Sequence, residues 1–273
     1  MRDRIAELRH ELLAVQGEVD ARRFRRAERN TVALVGYTNA GKSSWMRALT
    51  GSEVLVKDQL FATLDTTVRQ LTPKTRPPVL VSDTVGFIKK LPHDLVASFR
   101  STLEEARDAS LLVYVVDAAD PEWRAQLDVT VSVLREIDAH DRPSLLVLNK
   151  ADRLDDAQRA EVLEGLDPSR WGIKSADGDE PESLPSHLLL SAHRPEDVEL
   201  LHERIAAFFA RDLVETEILV PYRDGRLLHE LHERYQVLEE HFEDEGTRVR
   251  VKVPAGDPLL PQAPRPVDPF DVY

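Results

Sequence analysis

The chain has no cysteine in 273 residues, which excludes disulfides and thiolate metal sites and fits a reducing compartment. It has no apolar run near the roughly 20 residues needed to cross a bilayer, and its amino-terminus is charged rather than signal-like. A cytoplasmic protein without a membrane span is the expectation. Basic residues are in deficit: 36 Lys and Arg against 49 Asp and Glu leave a formal charge of −13. Nucleic-acid phosphates reward cations and repel carboxylates, so no DNA partner is expected and any RNA contact must be local. Arg22, Arg23, Arg25, Arg26 and Arg29 form the best basic patch, with a solvated helix end as the equal alternative. No Ser-His-Asp or paired-carboxylate constellation stands out. His229 and His232 are three apart rather than at the i, i+4 spacing of zinc proteases, which favours a structural role. The 42% hydrophobic content suffices for one full core and a smaller one.

Glycine is scarce too, at 11 residues, yet Gly36 and Gly41 bracket one short loop. The segment Gly36-Tyr37-Thr38-Asn39-Ala40-Gly41-Lys42-Ser43-Ser44 follows the apolar run Thr31 to Val35 and reads as strand, loop and helix start. Glycines let backbone N–H groups close around a phosphate, Lys42 supplies a positive charge, and Ser43 offers a hydroxyl to Mg²⁺. This loop alone indicates an NTPase of unspecified base.

A second apolar strand, Leu145 to Leu148, leads into Asn149-Lys150-Ala151-Asp152, about 110 residues after the first loop. The Asp152 carboxylate can accept from both the ring N–H and the exocyclic amine of guanine, a donor pair adenine lacks. Asn149 and Lys150 would brace the loops around the base. Between the two segments, Asp83-Thr84-Val85-Gly86 ends the strand Val79 to Val81. Asp83 can hold Mg²⁺ through a water, and the Gly86 N–H can sense a γ-phosphate. Upstream, Phe61-Ala62-Thr63-Leu64-Asp65 stands where a switch should supply a second metal ligand, with Thr63 as the candidate. Downstream, Ser191-Ala192-His193 closes the strand His187 to Leu190, where a main-chain N–H can back the guanine. Lys42, Thr63 and Gly86 are the candidate catalytic residues; Ser43, Thr63 and Asp83 are the candidate metal ligands.

Taken together, GYTNAGKSS, DQLFATLDTT, DTVGFIKKLPHDLVASFRSTLEEA and NKAD resemble the HflX GTPases of the TRAFAC class over essentially the whole chain. The third segment is specific, since Phe87, Pro92, His93 and Asp94 are not required by generic GTPase chemistry. The resemblance implies a translational GTPase that binds GTP and GDP, uses Mg²⁺, and acts on the large ribosomal subunit in splitting or rescue. It also implies a nucleotide-binding-like domain ahead of the helical linker, ending in G-P-G-E, and places the start of this chain within that linker. Val68 stands where a Thr is usual, before Arg69. Phe87 occupies the position at which Ras-type enzymes place a water-orienting glutamine, so slow intrinsic hydrolysis is expected, with a partner arranging the missing group. Potassium-activated GTPases share the N-A-G-K-S loop, in which the equivalent of Asn39 helps hold K⁺; the alternative for Asn39 is an Asx-turn. Two rival readings are a GTP-controlled protein-binding module with incidental hydrolysis and a broad NTPase that remodels RNA.

The expected organisation has four parts. Residues 1–29 form a helical linker, with Ile5, Leu8, Leu12, Val15 and Val19 as a narrow heptad stripe. Residues 30–212 form an α/β P-loop GTPase domain, a mostly parallel sheet with helices such as Pro121 to Ala139 and Asp155 to Leu166 on both faces. Residues 213–253 form a small α+β domain: strand Thr216 to Val220, helix Gly225 to Phe242, strand Arg248 to Val253. Residues 254–273 are a proline-rich tail. The polar stretch Asp167 to Ser186 reads as a surface loop.

Overall fold

The computed structural model describes residues 30–51, 67–84, 105–175 and 186–254. The linker stripe and its arginines, the switch Phe61–Asp65, the Val85–Asp94 continuation and the tail beyond Pro254 lie outside them. The described chain divides into two compact units. One holds the residues up to Lys74 together with Val79–Arg204; the other holds Thr75–Pro78 and the residues from Ile205 onward.

The elements of the first unit follow in order: β1 (Asn30–Val35), α1 (Lys42–Thr50), β2 (Thr67–Gln70), β3 (Val79–Asp83), β4 (Leu111–Asp117), α2 (Trp123–Glu136), β5 (Pro143–Asn149), α3 (Asp156–Leu163), β6 (Lys174–Ser175), β7 (His187–Leu189) and, up to Arg204, α4 (Pro195–Ala210). The sheet order is β2-β3-β1-β4-β5-β6, with β7 also paired to β5. Only β2 runs antiparallel, against β3.

The central strands are continuous apolar runs because both of their faces are covered. On one face Ala33, Val35, Leu112, Tyr114, Val116, Leu146 and Leu148 pack with Trp123, Leu127, Val131 and Leu134 of α2 and Val162 of α3. The alternate residues Val32, Leu34, Val113, Val115 and Val147 are buried as fully, and α1 lies against β3 and β1. Strand order runs outward in both directions from β1, which opens a crevice at the carboxyl ends of β1 and β4. The β1–α1 loop sits there.

Local signals place the helix starts well. Asp155 caps α3 by accepting from the Gln158 N–H at 2.8 Å while the Gln158 side chain accepts from the Asp155 N–H at 3.0 Å, a reciprocal capping box. The described part of the Asp167 to Ser186 stretch departs from the loop expected. It holds a 3₁₀ turn, Pro168–Trp171, and the short strand β6. Trp171 anchors this turn: its ring centroid lies 6.1 Å from that of Trp123, and its indole N–H donates to Asp128 at 2.7 Å.

The second unit contains β8 (Leu213–Pro221), α5 (Gly225–Arg234), β9 (Gln236–Glu243) and β10 (Gly246–Pro254), with antiparallel order β8-β10-β9. The single helix expected from Gly225 to Phe242 is therefore corrected to a helix and a strand. The backbone turns extended at Tyr235, and the following residues pair with β10 from Gln236↔Lys252 to Glu243↔Gly246. Leu, Glu and His carry enough helix propensity to continue α5, but a long-range ladder outweighs it. Val220, Leu231, Tyr235, Val249, Val251 and Val253 form the small core.

Candidate functional site

The β1–α1 loop owes its path to two glycines. A Cβ on Gly36 would lie 2.1 Å from the Val115 carbonyl oxygen of β4, so only glycine passes there. Gly41 has a φ of 101°, and a Cβ on it would lie 2.1 Å from the Asn149 side-chain nitrogen. That nitrogen donates to the Ala40 carbonyl at 2.8 Å, tying the end of β5 to the loop across 109 residues. Replacing Gly41 by alanine is expected to push Asn149 off Ala40 and weaken GDP binding at least about tenfold, beyond the ~1 kcal/mol of backbone strain. Calorimetric titration with GDP beside a thermal melt checks this: unchanged affinity would show that the Asn149 tie is dispensable.

Gly41 also leaves the first turn of α1 without a side-chain cap, and no acidic residue stands in that turn. The positive end of the helix is thus open to an anion. Lys42, only 6% exposed, donates to the carbonyls of Gly36 at 3.1 Å and Tyr37 at 2.9 Å. Burial pulls its pKa down to about 8, against the opposing pull of the Asp83 carboxylate. The Ser43 hydroxyl donates to Asp83 Oδ2 at 2.7 Å. A hydroxyl and a carboxylate side by side are hard oxygen donors, the set Mg²⁺ takes when it keeps most of its waters and uses few protein ligands. The Thr84 hydroxyl is spent on the Leu34 carbonyl at 2.7 Å, joining β3 to β1. Thr63, Val85, Gly86 and Phe87 lie outside the described residues.

At the end of β5, Asn149 also accepts the Ala192 N–H at 3.3 Å. Lys150 adopts a left-handed φ of 64°, and its ammonium reaches back to the Asn39 carbonyl at 3.0 Å. Asp152 follows in a 3₁₀ turn, and its carboxylate accepts from the Ser191 hydroxyl at 2.6 Å. That hydrogen bond holds the Asp152 carboxyl below the usual range, against partial desolvation. The Ser191 N–H donates to Asp197 at 2.8 Å and the His193 N–H to the Ser191 hydroxyl at 3.2 Å. The 191–193 loop therefore positions Asn149 and Asp152. The fold thus brings the Gly36–Ser44 loop, Asp83, Asn149–Asp152 and Ser191–His193 to one end of the sheet.

Two residues of this site escaped sequence reasoning. Asp117, at the end of β4, forms an ion pair with Lys150 at 2.6 Å. Asp197, in the first turn of α4, orients Ser191. A carboxylate closing the buried run Leu-Leu-Val-Tyr-Val-Val was the legible signal for the first; the second had none. Among the described residues no group of three or more His, Cys, Asp or Glu side chains is arranged to hold a metal. His232 instead pairs with Glu240 at 2.6 Å. Among the same residues no helix is long and apolar enough to cross a membrane.

This geometry can surround a phosphate chain with backbone N–H groups and a buried cation while presenting a fixed carboxylate to a purine edge. A family described as 50S ribosome-binding GTPase matches residues 31–150. GTPase HflX of Gluconacetobacter diazotrophicus is 54% identical over 252 residues, covering 92% of this chain and 52% of that protein. GTPase HflX of Escherichia coli is 36% identical over 273 residues, covering 98% of this chain and 60% of that protein. Among solved structures, a GTP-binding protein from Sulfolobus solfataricus in complex with GDP aligns with a TM-score of 0.51 at 24% identity, over 74% of this chain and 58% of that one, a likeness of fold. The chain spans about half to three-fifths of the length of these two curated relatives. Over that span this chain belongs to the HflX family of GTPases.

Proposed function

We propose that this chain is a GTP-binding and GTP-hydrolysing switch that works on the large ribosomal subunit. The observation that carries the nucleotide half is the Asn149-to-Ala40 hydrogen bond, which holds a guanine-reading turn and a phosphate loop at a fixed spacing. In this reading the Gly36–Ser44 N–H groups and Lys42 bind the phosphates, Asp152 reads guanine, and Asn149, Lys150, Ser191, Ala192 and His193 hold Asp152 in place. Ser43 and Asp83 would hold Mg²⁺, joined by Thr63 from its place in the sequence. Bound Mg²⁺ supplies charge neutralisation at the phosphates.

The remaining roles rest on sequence. The Gly86 N–H senses the γ-phosphate, the Phe61–Asp65 segment is the switch, and Phe87 leaves the attacking water unoriented until a partner completes the site. The name of the matching family supports the large subunit as that partner, and the −13 charge confines contact with its RNA to local patches. Residues 1–29 serve as linker, 30–212 as the GTPase domain, 213–253 as an accessory α+β domain and 254–273 as a tail. Asn39, with its left-handed φ of 59°, is the proposed K⁺ ligand.

The test is GTP hydrolysis with and without purified large subunits, in potassium and in sodium chloride at matched ionic strength, beside Lys42→Ala. Slow basal turnover stimulated at least about tenfold by subunits is the expected result. Turnover unchanged by subunits would overturn the ribosomal half of the proposal, and equal rates in the two salts would remove K⁺. Comparable use of ATP would favour the broad NTPase instead.

A further inference from the structure

The Asp117–Lys150 pair lies where three chain segments meet. The Lys150 ammonium bonds Asp117 Oδ2 at 2.6 Å and the Asn39 carbonyl at 3.0 Å, so one cation joins the end of β4, the base-reading turn and the phosphate loop. Asp117 is itself fixed. Its other oxygen accepts the Ala119 N–H at 3.1 Å, and the Ala118 N–H donates to the Asn149 carbonyl at 2.9 Å. In the parallel register Asp117 stands beside Asn149. The two side chains are 13% and 16% exposed, so little solvent competes for the pair.

Both backbone points that the cation bridges are left-handed at non-glycine residues, Asn39 at 59° and Lys150 at 64°. Such conformations persist only where surrounding contacts over-determine them. Without its carboxylate partner, Lys150 has a long flexible stem and a charge best served by water, and its hold on Asn39 lapses. We infer that Asp117 is a positioning residue for nucleotide retention: by clamping Lys150 it locks the phosphate loop at Asn39 to the base-reading turn, so that both halves of a guanine nucleotide must be released together. This rests on the proposed nucleotide site and adds to it a residue that touches neither base nor phosphate.

Asp117→Asn keeps the shape and removes the charge. Dissociation of a fluorescent GDP analogue is expected to accelerate about tenfold, the weight of one charge-assisted hydrogen bond. Lys150→Ala is expected to accelerate it by a similar factor, and the double variant by no more than the larger single effect, because the two residues act as one device. Asp117→Glu, which keeps the charge, is expected to recover dissociation to within about threefold of wild type. Melting temperatures of all variants are recorded without nucleotide. A lower melting temperature with unchanged GDP release, or effects of Asp117→Asn and Lys150→Ala that multiply in the double variant, would overturn the inference. Failure of the wild-type chain to bind GDP at all would instead overturn the nucleotide site on which the inference stands.

Discussion

Lys42→Met will abolish nucleotide binding and at the same time raise the melting temperature of the nucleotide-free chain. Lys42 is buried beneath the Gly36–Gly41 loop, among the described residues with carbonyl oxygens and the Asp83 carboxylate to answer its charge, and its pKa falls from 10.5 to about 8. That difference corresponds to about 3 kcal/mol of cost for keeping the folded lysine protonated. The folded pKa lies below the unfolded one, so the cost is present in full below pH 8 and fades as pH rises from about 8 towards 10.5. Methionine has a similar length and no charge to desolvate, and a gain of a few degrees in melting temperature at pH 7 is expected, shrinking at pH 9.5. In the proposed site nucleotide phosphates would supply the missing counter-charge, so GDP is expected to raise the melting temperature of the wild type and to leave that of the variant unmoved. Loss of stability in Lys42→Met at pH 7 would show that the two carbonyl hydrogen bonds outweigh the buried charge.

Asp152→Asn is expected to lower affinity for GTP about a hundredfold or more and to create affinity for xanthosine triphosphate. In the proposed base site the carboxylate would accept from two donors on guanine; an amide keeps one acceptor and turns a donor towards the exocyclic amine, where xanthine presents a carbonyl oxygen instead. Competition titrations with GTP, xanthosine triphosphate and ATP measure the change, and equal GTP affinity would remove Asp152 from the base site. The Ser191 hydroxyl adds a pH dependence. By holding the Asp152 carboxyl below the usual range it keeps the charged form as pH falls, so guanine discrimination in the wild type is expected to persist into mildly acidic buffer. In Ser191→Ala that protection is removed, and discrimination is expected to fade at a higher pH than in the wild type.

The phosphate loop and the Asn149–Asp152 turn were legible because their information is local. A buried apolar run, a pair of glycines and a lysine within nine residues specify strand, turn and helix start whatever the rest of the chain does. The same holds for the parallel sheet implied by alternating strands and helices. Residue type alone put Lys42, Ser43, Asp83 and Asp152 forward as candidates, since few side chains can do the proposed chemistry.

Tertiary structure decided the rest, for a physical reason common to each case. The Asn149 bond to Ala40, the Lys150 bond to Asn39 and the Asp117–Lys150 pair join residues 33 to 111 positions apart, so they exist only once β1, β4 and β5 lie side by side. Residues 236–243 could have continued a helix by propensity and became a strand because β10 offered a ladder. Trp171 turned a polar stretch into an anchored turn because Trp123 and Asp128 were waiting across the fold. The sequence by itself determined which residue types stand at the strand ends and which groups are candidates for the chemistry; the packing of distant segments decided which of them touch, because contact energies between remote residues have no signature in the local pattern.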